Sequence, residues 1–219
     1  LIVAFTSFAS NLVGGDDNSQ PDIFVRDVLE GTTSLVSRDS AGNPGNGESG
    51  VPSISHDGRI VAFQSMASNL VPDDTNGVTD IFVHDRSTGA TTRVSVSSTG
   101  EQANNHCLAP AISANGRYVV FHTQADNLVV DDNNAALDIF IHDRSSRVTK
   151  LVSANTQGEV GDGHSELATV SADARYVAFQ SRATDLIADD RNAAQDVFMR
   201  DLGPDPAVLV PILESILHE

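Results

Sequence analysis

The side chains with the most chemical reach in this sequence are its carboxylates. The stretch "DDTNGVTDIFVHD", Asp73 to Asp85, crowds them into one loop and then enters an apolar run. Within it lies the spacing D-x-N-x-x-x-D, which occurs four times: Asp16, Asn18 and Asp22; Asp74, Asn76 and Asp80; Asp132, Asn134 and Asp138; Asp190, Asn192 and Asp196. Two carboxylates and an amide oxygen at such spacing suit Ca2+, a hard cation that takes six to eight oxygens at ~2.4 Å. A backbone carbonyl near Gln20, Val78, Ala136 or Ala194 and bound waters would complete the shell. The same side chains also close Asx-turns with no metal at all. A merely acidic surface would not explain the fixed spacing. Gly77 is replaced by Ser19, Ala135 and Ala193 in the other copies, so the oxygens are expected to matter more than any one turn type.

Two further constellations repeat. Asp27, Asp85, Asp143 and Asp201 end an apolar run, and Arg59, Arg117 and Arg175 open the one before it. Antiparallel pairing of those runs predicts the ion pairs Arg59–Asp85, Arg117–Asp143 and Arg175–Asp201, with the structural task of fixing register. Asn46, Asn104 and Asp162 are equivalent to one another, as are His106 and His164, with Glu48 in the remaining copy. Such histidines are either solvated loop residues or a transition-metal site. Cys107 beside His106 is replaced by Ser49 and Ser165, which argues against a nucleophile. No G-x-S-x-G elbow, HExxH or phosphate-cradling loop occurs, so no catalytic residue is expected.

The elements that must position these groups follow from self-comparison. "IVAF" at Ile2 and Ile60, "YVVF" at Tyr118 and "YVAF" at Tyr176 recur every 58 residues, as do the tripeptides that begin at Asp22, Asp80, Asp138 and Asp196. The units run near residues 1–59, 60–117, 118–175 and 176–210, followed by a tail at 211–219. In the second, "VPSIS" (Val51 to Ser55), "IVAFQS" (Ile60 to Ser65), "DIFVHD" (Asp80 to Asp85) and "TTRVSV" (Thr91 to Val96) read as four strands punctuated by Gly, Asn and Asp. Four antiparallel strands per repeat predict an all-β chain, a β-propeller-type arc of about four blades that either stands alone or is part of a larger propeller. Eight of the nine phenylalanines fall in two columns of this repeat, as expected of core positions between blades.

The boxes "PSISHDGRIVAFQS", "PAISANGRYVVFHT" and "ATVSADARYVAFQS" resemble the repeats of TolB-type, WD-like bacterial β-propellers, with Ala174 in place of the box's Gly and Ala168 in place of its Pro. The long repeat, with "NLV…DTNGVTDIFVHDRSTGATTRVSV" after the box, resembles propeller regions of exported bacterial proteins. The resemblance implies strands a to d numbered from the centre outward and a periplasmic or secreted setting, and it carries no catalytic residue. It places the b–c and d–a loops on one face of the disc and the a–b and c–d turns on the other. The D-x-N-x-x-x-D loops are similar to the D-x-N-x-D-G-x-x-D calcium loops of other propellers, but shorter and without their middle carboxylate.

Net charge is −17, which excludes nucleic acid and anionic membrane surfaces as natural partners. Seven acidic residues are Glu and the rest Asp, a bias toward turns and hard-cation sites rather than helices. One cysteine excludes an internal disulfide. No apolar run reaches the ~18 residues of a membrane span. The chain opens on "LIVAF", already inside a strand pattern, so a preceding segment with a leader is expected. "AVLV" (Ala207 to Val210) aligns with the outer strand of the last unit, and 211–219 with a short cap. The first unit lacks an innermost strand, so a protein partner or an oligomer edge is expected. Two function classes stand: a non-enzymatic scaffold and binding domain, or the propeller domain of a peptidase, hydrolase or lyase whose catalytic residues lie elsewhere. Neither class specifies a small-molecule ligand.

Overall fold

A computed structural model describes residues 1–188, 190, 192 and 194–203. The expected outer strand at 207–210 and the cap at 211–219 lie outside the described residues. Alternating β-branched and aromatic residues produce strands throughout, and no helix occurs among the described residues.

Four antiparallel sheets follow the repeat. The first comprises β1 (Ile2–Ser7), β2 (Asp22–Asp27) and β3 (Thr32–Leu35), and the second β4 (Ser49–Ile54), β5 (Ile60–Ser65), β6 (Asp80–Asp85) and β7 (Ala90–Arg93). The third comprises β8 (Cys107–Ile112), β9 (Tyr118–Thr123), β10 (Asp138–Asp143) and β11 (Val148–Leu151), and the fourth β12 (Ser165–Val170), β13 (Tyr176–Ser181) and β14 (Asp196–Asp201). Each sheet is a meander in chain order, so every pairing is between sequence neighbours. These are the expected blades.

The core lies between sheets rather than within one. Ile23, Val25 and Val36 of the first sheet meet Val61, Phe63, Leu70 and Phe82 of the second. Ile81, Val83 and Val94 meet Val119, Phe121, Leu128 and Phe140, and Val120, Ile139, Ile141 and Val152 meet Val177, Phe179 and Leu186. Period-2 alternation explains this: on β6, Ile81 and Val83 face the following blade while Phe82 faces the preceding one. The two Phe columns are directly opposite each other in the ladder, and their rings stack at 5.8, 6.0, 6.1 and 5.9 Å. Offset pairs of this kind add ~0.5–1.5 kcal/mol beyond the area they bury.

Two strands of the second blade differ in bounds from the sequence expectation: β4 is Ser49–Ile54 rather than Val51 to Ser55, and β7 is Ala90–Arg93 rather than Thr91 to Val96. β7 ends early because Ser95 turns inward to a buried carboxylate and Val96 pairs with Gln102. The innermost strands carry a bulge, with register shifts between Gly50 and Ser53, Leu108 and Ala111, and Glu166 and Thr169. Val51, Ala109 and Leu167 sit there at φ 50°, 49° and 54°. Left-handed backbone is strained for a β-branched residue such as Val51. Pro52 and Pro110 follow the first two, yet the bulge persists where Ala168 replaces proline. The bulge therefore belongs to the repeat and not to the proline.

The glycine of the a–b turn has a packing reason. A Cβ on Gly58 would meet Ile2 Cδ1 at 2.5 Å, and one on Gly116 would meet Ile60 Cγ1 at 2.7 Å. Tyr118 holds the equivalent place opposite Ala174, and its flat ring lies beneath Arg117 at 4.8 Å from the guanidinium carbon. Ala174 keeps the turn's left-handed φ of 59°.

Candidate functional site

The D-x-N-x-x-x-D loops connect β1 to β2, β5 to β6, β9 to β10 and β13 to β14, so the third position opens strand c of each blade. Asp22, Asp80 and Asp138 are buried without solvent exposure. Each satisfies its carboxylate in the same way. Ser37 Oγ donates to Asp22 Oδ1 at 2.6 Å and Ser153 Oγ to Asp138 Oδ1 at 2.6 Å; Ser95 makes the same bond to Asp80. These serines in turn accept the backbone N–H of Ile23, Ile81 and Ile139. The second carboxylate oxygen accepts from Asn18, Asn76 or Asn134 Nδ2 at 2.8, 2.9 and 2.8 Å.

The asparagine is a bridge between loops. Its Nδ2 also donates to Gly45 O, Ala103 O or Gly161 O at 2.8, 3.0 and 2.7 Å, in the d–a loop leading to the next blade. Its Oδ1 accepts the N–H two residues on, from Gln20, Val78 and Ala136. That Asx-turn holds Ser19, Gly77 and Ala135 at φ 58°, 67° and 54°. The loss of glycine therefore leaves the turn type unchanged, contrary to the inference from sequence: the asparagine side chain stabilises left-handed backbone even for Ser and Ala. In the fourth loop Asn192 reaches Asp196 Oδ2 at 3.0 Å and Ala194 N–H at 2.8 Å, but Asp196 is only half-buried.

The first position brings a second carboxylate beside the third. Burial and the neighbouring Asp22 raise the acid of Asp16, and burial and Asp80 raise that of Asp74. Asp132 is pushed up to about 6 by burial, then by Asp138 and Asp126. Burial also raises Asp138, against its hydrogen bonds from Ser153 and Asn134. In the second blade an arginine supplies a countercharge: Arg93 Nη1 lies 3.1 Å from Asp74 Oδ1 and 3.3 Å from Asp80 Oδ2. Leu35 and Leu151 occupy the place of Arg93 in the first and third blades. Asp190, the first position of the fourth loop, is half-buried and accepts the Asn192 N–H at 3.4 Å. Among the described residues no three His, Cys, Asp or Glu side chains converge as metal ligands. The oxygens that do converge are two carboxylates per loop, with the amide turned nitrogen-first toward one of them.

The opposite face carries the expected ion pairs, all bidentate. Arg59 Nε and Nη2 donate to Asp85 at 2.9 and 2.6 Å, Arg117 to Asp143 at 2.8 and 2.7 Å, and Arg175 to Asp201 at 3.1 and 2.9 Å. The Arg59 hydrogen bond holds Asp85 well below the usual carboxylate range. Asp143 is likewise lowered, with burial opposing the donors from Arg117, Ser146 and Ser145. Each pair therefore contributes stability above the ordinary carboxylate pKa and loses it in acid.

The remaining chemical groups are tied into the scaffold. His106 Nδ1 accepts the Thr79 N–H at 3.0 Å and His164 Nδ1 the Leu137 N–H at 2.8 Å, so each pins the neighbouring loop. Burial pushes the Cys107 thiol up to about 12, which suppresses the thiolate that a nucleophile needs. Sequence reasoning missed His84 and His142, whose Nδ1 atoms bond Thr91 and Thr149 Oγ1 at 2.8 Å and whose burial lowers them to about 4. It also missed Ser37, Ser95 and Ser153. Their common offset of fifteen residues from each aspartate was the available signal.

Among solved structures the chain is similar to TolB from Acinetobacter baumannii, at 19% identity and a TM-score of 0.53 over 91% of this chain and 38% of that one. It is similar to putative TolB from Agrobacterium tumefaciens at 15% identity and a TM-score of 0.55, over 92% of this chain and 57% of that one. The β-propeller domain of the Trilobed protease from Pyrococcus furiosus, which has an open velcro topology, matches at 14% identity and a TM-score of 0.52 over 92% of this chain and 52% of that chain. The chain thus spans between 38% and 57% of these three structures. No protein-family model and no curated protein matches it. Four meandering sheets stacked face to face, together with these likenesses, give the chain a TolB-like β-propeller fold.

Proposed function

We propose that the chain is a non-enzymatic propeller module of an exported protein, periplasmic or secreted, that holds a loop face ready for a protein partner. One observation carries this reading: the polar side chains that repeat at fixed spacing are spent on ties between strands and between blades. Asn18, Asn76 and Asn134 bridge consecutive blades, and Arg59, Arg117 and Arg175 lock hairpins. What varies on the loop face, such as Thr75 and Asn133, is exposed and open to specificity. Chromogenic peptide substrates are expected to show no turnover by this chain above buffer. Turnover abolished by His106→Ala or His164→Ala would overturn the reading in favour of an enzymatic propeller.

A second reading concerns calcium. Arg93 lies against both carboxylates of the second loop, whereas the pairs Asp16/Asp22 and Asp132/Asp138 have a leucine at that place. A divalent cation would supply the same countercharge in the first and third blades. Without a cation, the raised acid of Asp132 favours folding below the ordinary carboxylate pKa, and that contribution is lost as pH rises through about 6. Asp132→Asn is then expected to stabilise the protein at pH 8 by about 1–2 kcal/mol after discounting for partial exposure, and to be neutral below pH ~4. Urea unfolding across pH, with EDTA and with added calcium, measures this. The calcium reading prevails if calcium raises the wild-type midpoint and Asp132→Asn removes that gain.

A further inference from the structure

Between the second and third blades lies a cavity of about 500 Å³ that is lined by cations in a chain of net charge −17. Thr92, Val96 and Ser98 line it from the second blade, and His142, Arg144 and Arg147 from the third. No carboxylate is among its lining residues. His142 and Arg144 have counterparts in His84 and Arg86 of the preceding interface, but two other positions differ. Val96 stands where the first blade has Arg38, whose charge, together with burial, lowers His84. The shorter valine leaves that space open. Arg147 stands where the first two blades have Gly31 and Gly89, and it keeps their left-handed turn at φ 59°, against 66° and 75°. Such backbone is strained for arginine and free for glycine.

The cations here lack counter-ions. Neither Arg144 nor Arg147 has a carboxylate within ion-pair distance among the described residues. Arg144 Nη1 donates to Gly116 O, which uses one of its five N–H donors. Burial lowers the Arg144 guanidinium against the raising effect of Asp85, and Asp85 is itself held in two bonds by Arg59. Thr149 Oγ1 donates to Val96 O and therefore accepts from His142 Nδ1. Burial holds His142 neutral, so its Nε2 is an acceptor, and it has no partner among the described residues.

We propose that this cavity binds a small phosphate ester, with the phosphate on Arg144 and Arg147 and a hydroxyl of the organic body on His142 Nε2. Guanidinium forks match phosphate oxygens, and two arginines balance a dianion. The volume falls within the ~300–1,000 Å³ of small-ligand sites and exceeds what a bare ion fills. No residue of the D-x-N-x-x-x-D loops lines the cavity, so the site stands apart from the loop face proposed above for a protein partner.

Titration calorimetry with glycerol 3-phosphate tests it, in about 0.1 M NaCl, where exposed charges are screened beyond ~10 Å. One saturable site is expected for the ester and none for glycerol. Arg147→Gly, which restores the glycine of the first two blades, is expected to weaken binding about tenfold or more. Val96→Arg, which restores the arginine of the preceding interface, is expected to abolish binding by filling the cavity while adding a positive charge. Circular dichroism checks that both variants fold, and Arg147→Gly, which relieves strain, carries the test alone if Val96→Arg does not. The absence of a saturable site in the wild type, or unchanged binding by Arg147→Gly, would overturn the proposal. So would binding retained or strengthened by a folded Val96→Arg, which would show attraction to a positive surface and not to a cavity.

Discussion

Asp80→Ala is expected to lower the unfolding free energy by about 3–5 kcal/mol in urea titrations, among the largest effects of any single polar substitution in the chain. Asp80 is fully buried and its carboxylate accepts from Ser95, Asn76 and Arg93. Truncation strands the Ser95 hydroxyl and takes one acceptor each from Asn76 and Arg93, which keep Ala103 O and Asp74, and the Arg93 side chain is only 10% exposed. Desolvated donors cannot recover those bonds from water, so the loss is the cost of stranded groups rather than the net worth of one hydrogen bond. Asp80→Asn keeps an acceptor but removes the charge opposite Arg93, and should fall between. Asp196→Ala supplies the comparison within the same column, because Asp196 is half-buried and Pro211 replaces the serine in sequence. Its loss should stay below about 1 kcal/mol. Equal losses at Asp80 and Asp196 would show that the buried network is not what stabilises the loop.

Phe121→Ala is expected to cost a comparable 3–5 kcal/mol for a different reason. Phe121 is buried without exposure between the second and third blades, stacked on Phe140 and packed against residues such as Ile81 and Val83. Removing the ring opens a cavity at the middle of the three interfaces, where surrounding strands are held by their ladders and cannot collapse inward. Phe198→Ala, at a partly exposed ring of the fourth sheet, should cost about half as much or less. Blades touch only their sequence neighbours, so stability is transmitted along the stack one interface at a time. Weakening the central one should split a single unfolding transition into two when fluorescence-labelled halves are followed separately. A single transition with an unchanged midpoint would contradict this account.

Much of this is legible in the sequence. The Arg59–Asp85, Arg117–Asp143 and Arg175–Asp201 pairs follow from strand order and spacing alone, since antiparallel neighbours bring the end of one strand beside the start of the other. The Phe columns were likewise legible as core. The aspartate loops were not legible in the same way. Asp22, Asp80 and Asp138 are candidate metal ligands in the sequence, which shows which oxygens recur but not which donors face them. Ser37, Ser95 and Ser153 lie fifteen residues downstream, and the carbonyls of Gly45, Ala103 and Gly161 lie twenty-seven residues beyond each asparagine. Those distances in sequence disappear only when the blade is assembled.

The sequence by itself determined the all-β class, the four-unit period, the strands and the register that pairs arginine with aspartate. Local alternation and exact repetition suffice for these, because each strand pairs with its neighbour in the chain. Only the tertiary structure decided which groups the polar loops face. Whether a carboxylate faces a serine, an arginine or another carboxylate depends on three segments meeting in space, as the contrast between Arg93 and its counterparts Leu35 and Leu151 demonstrates. Likewise Val3 and Val61 have the same side chain at the same place in the repeat. One is exposed and the other buried among the described residues, because burial here belongs to the interface between blades.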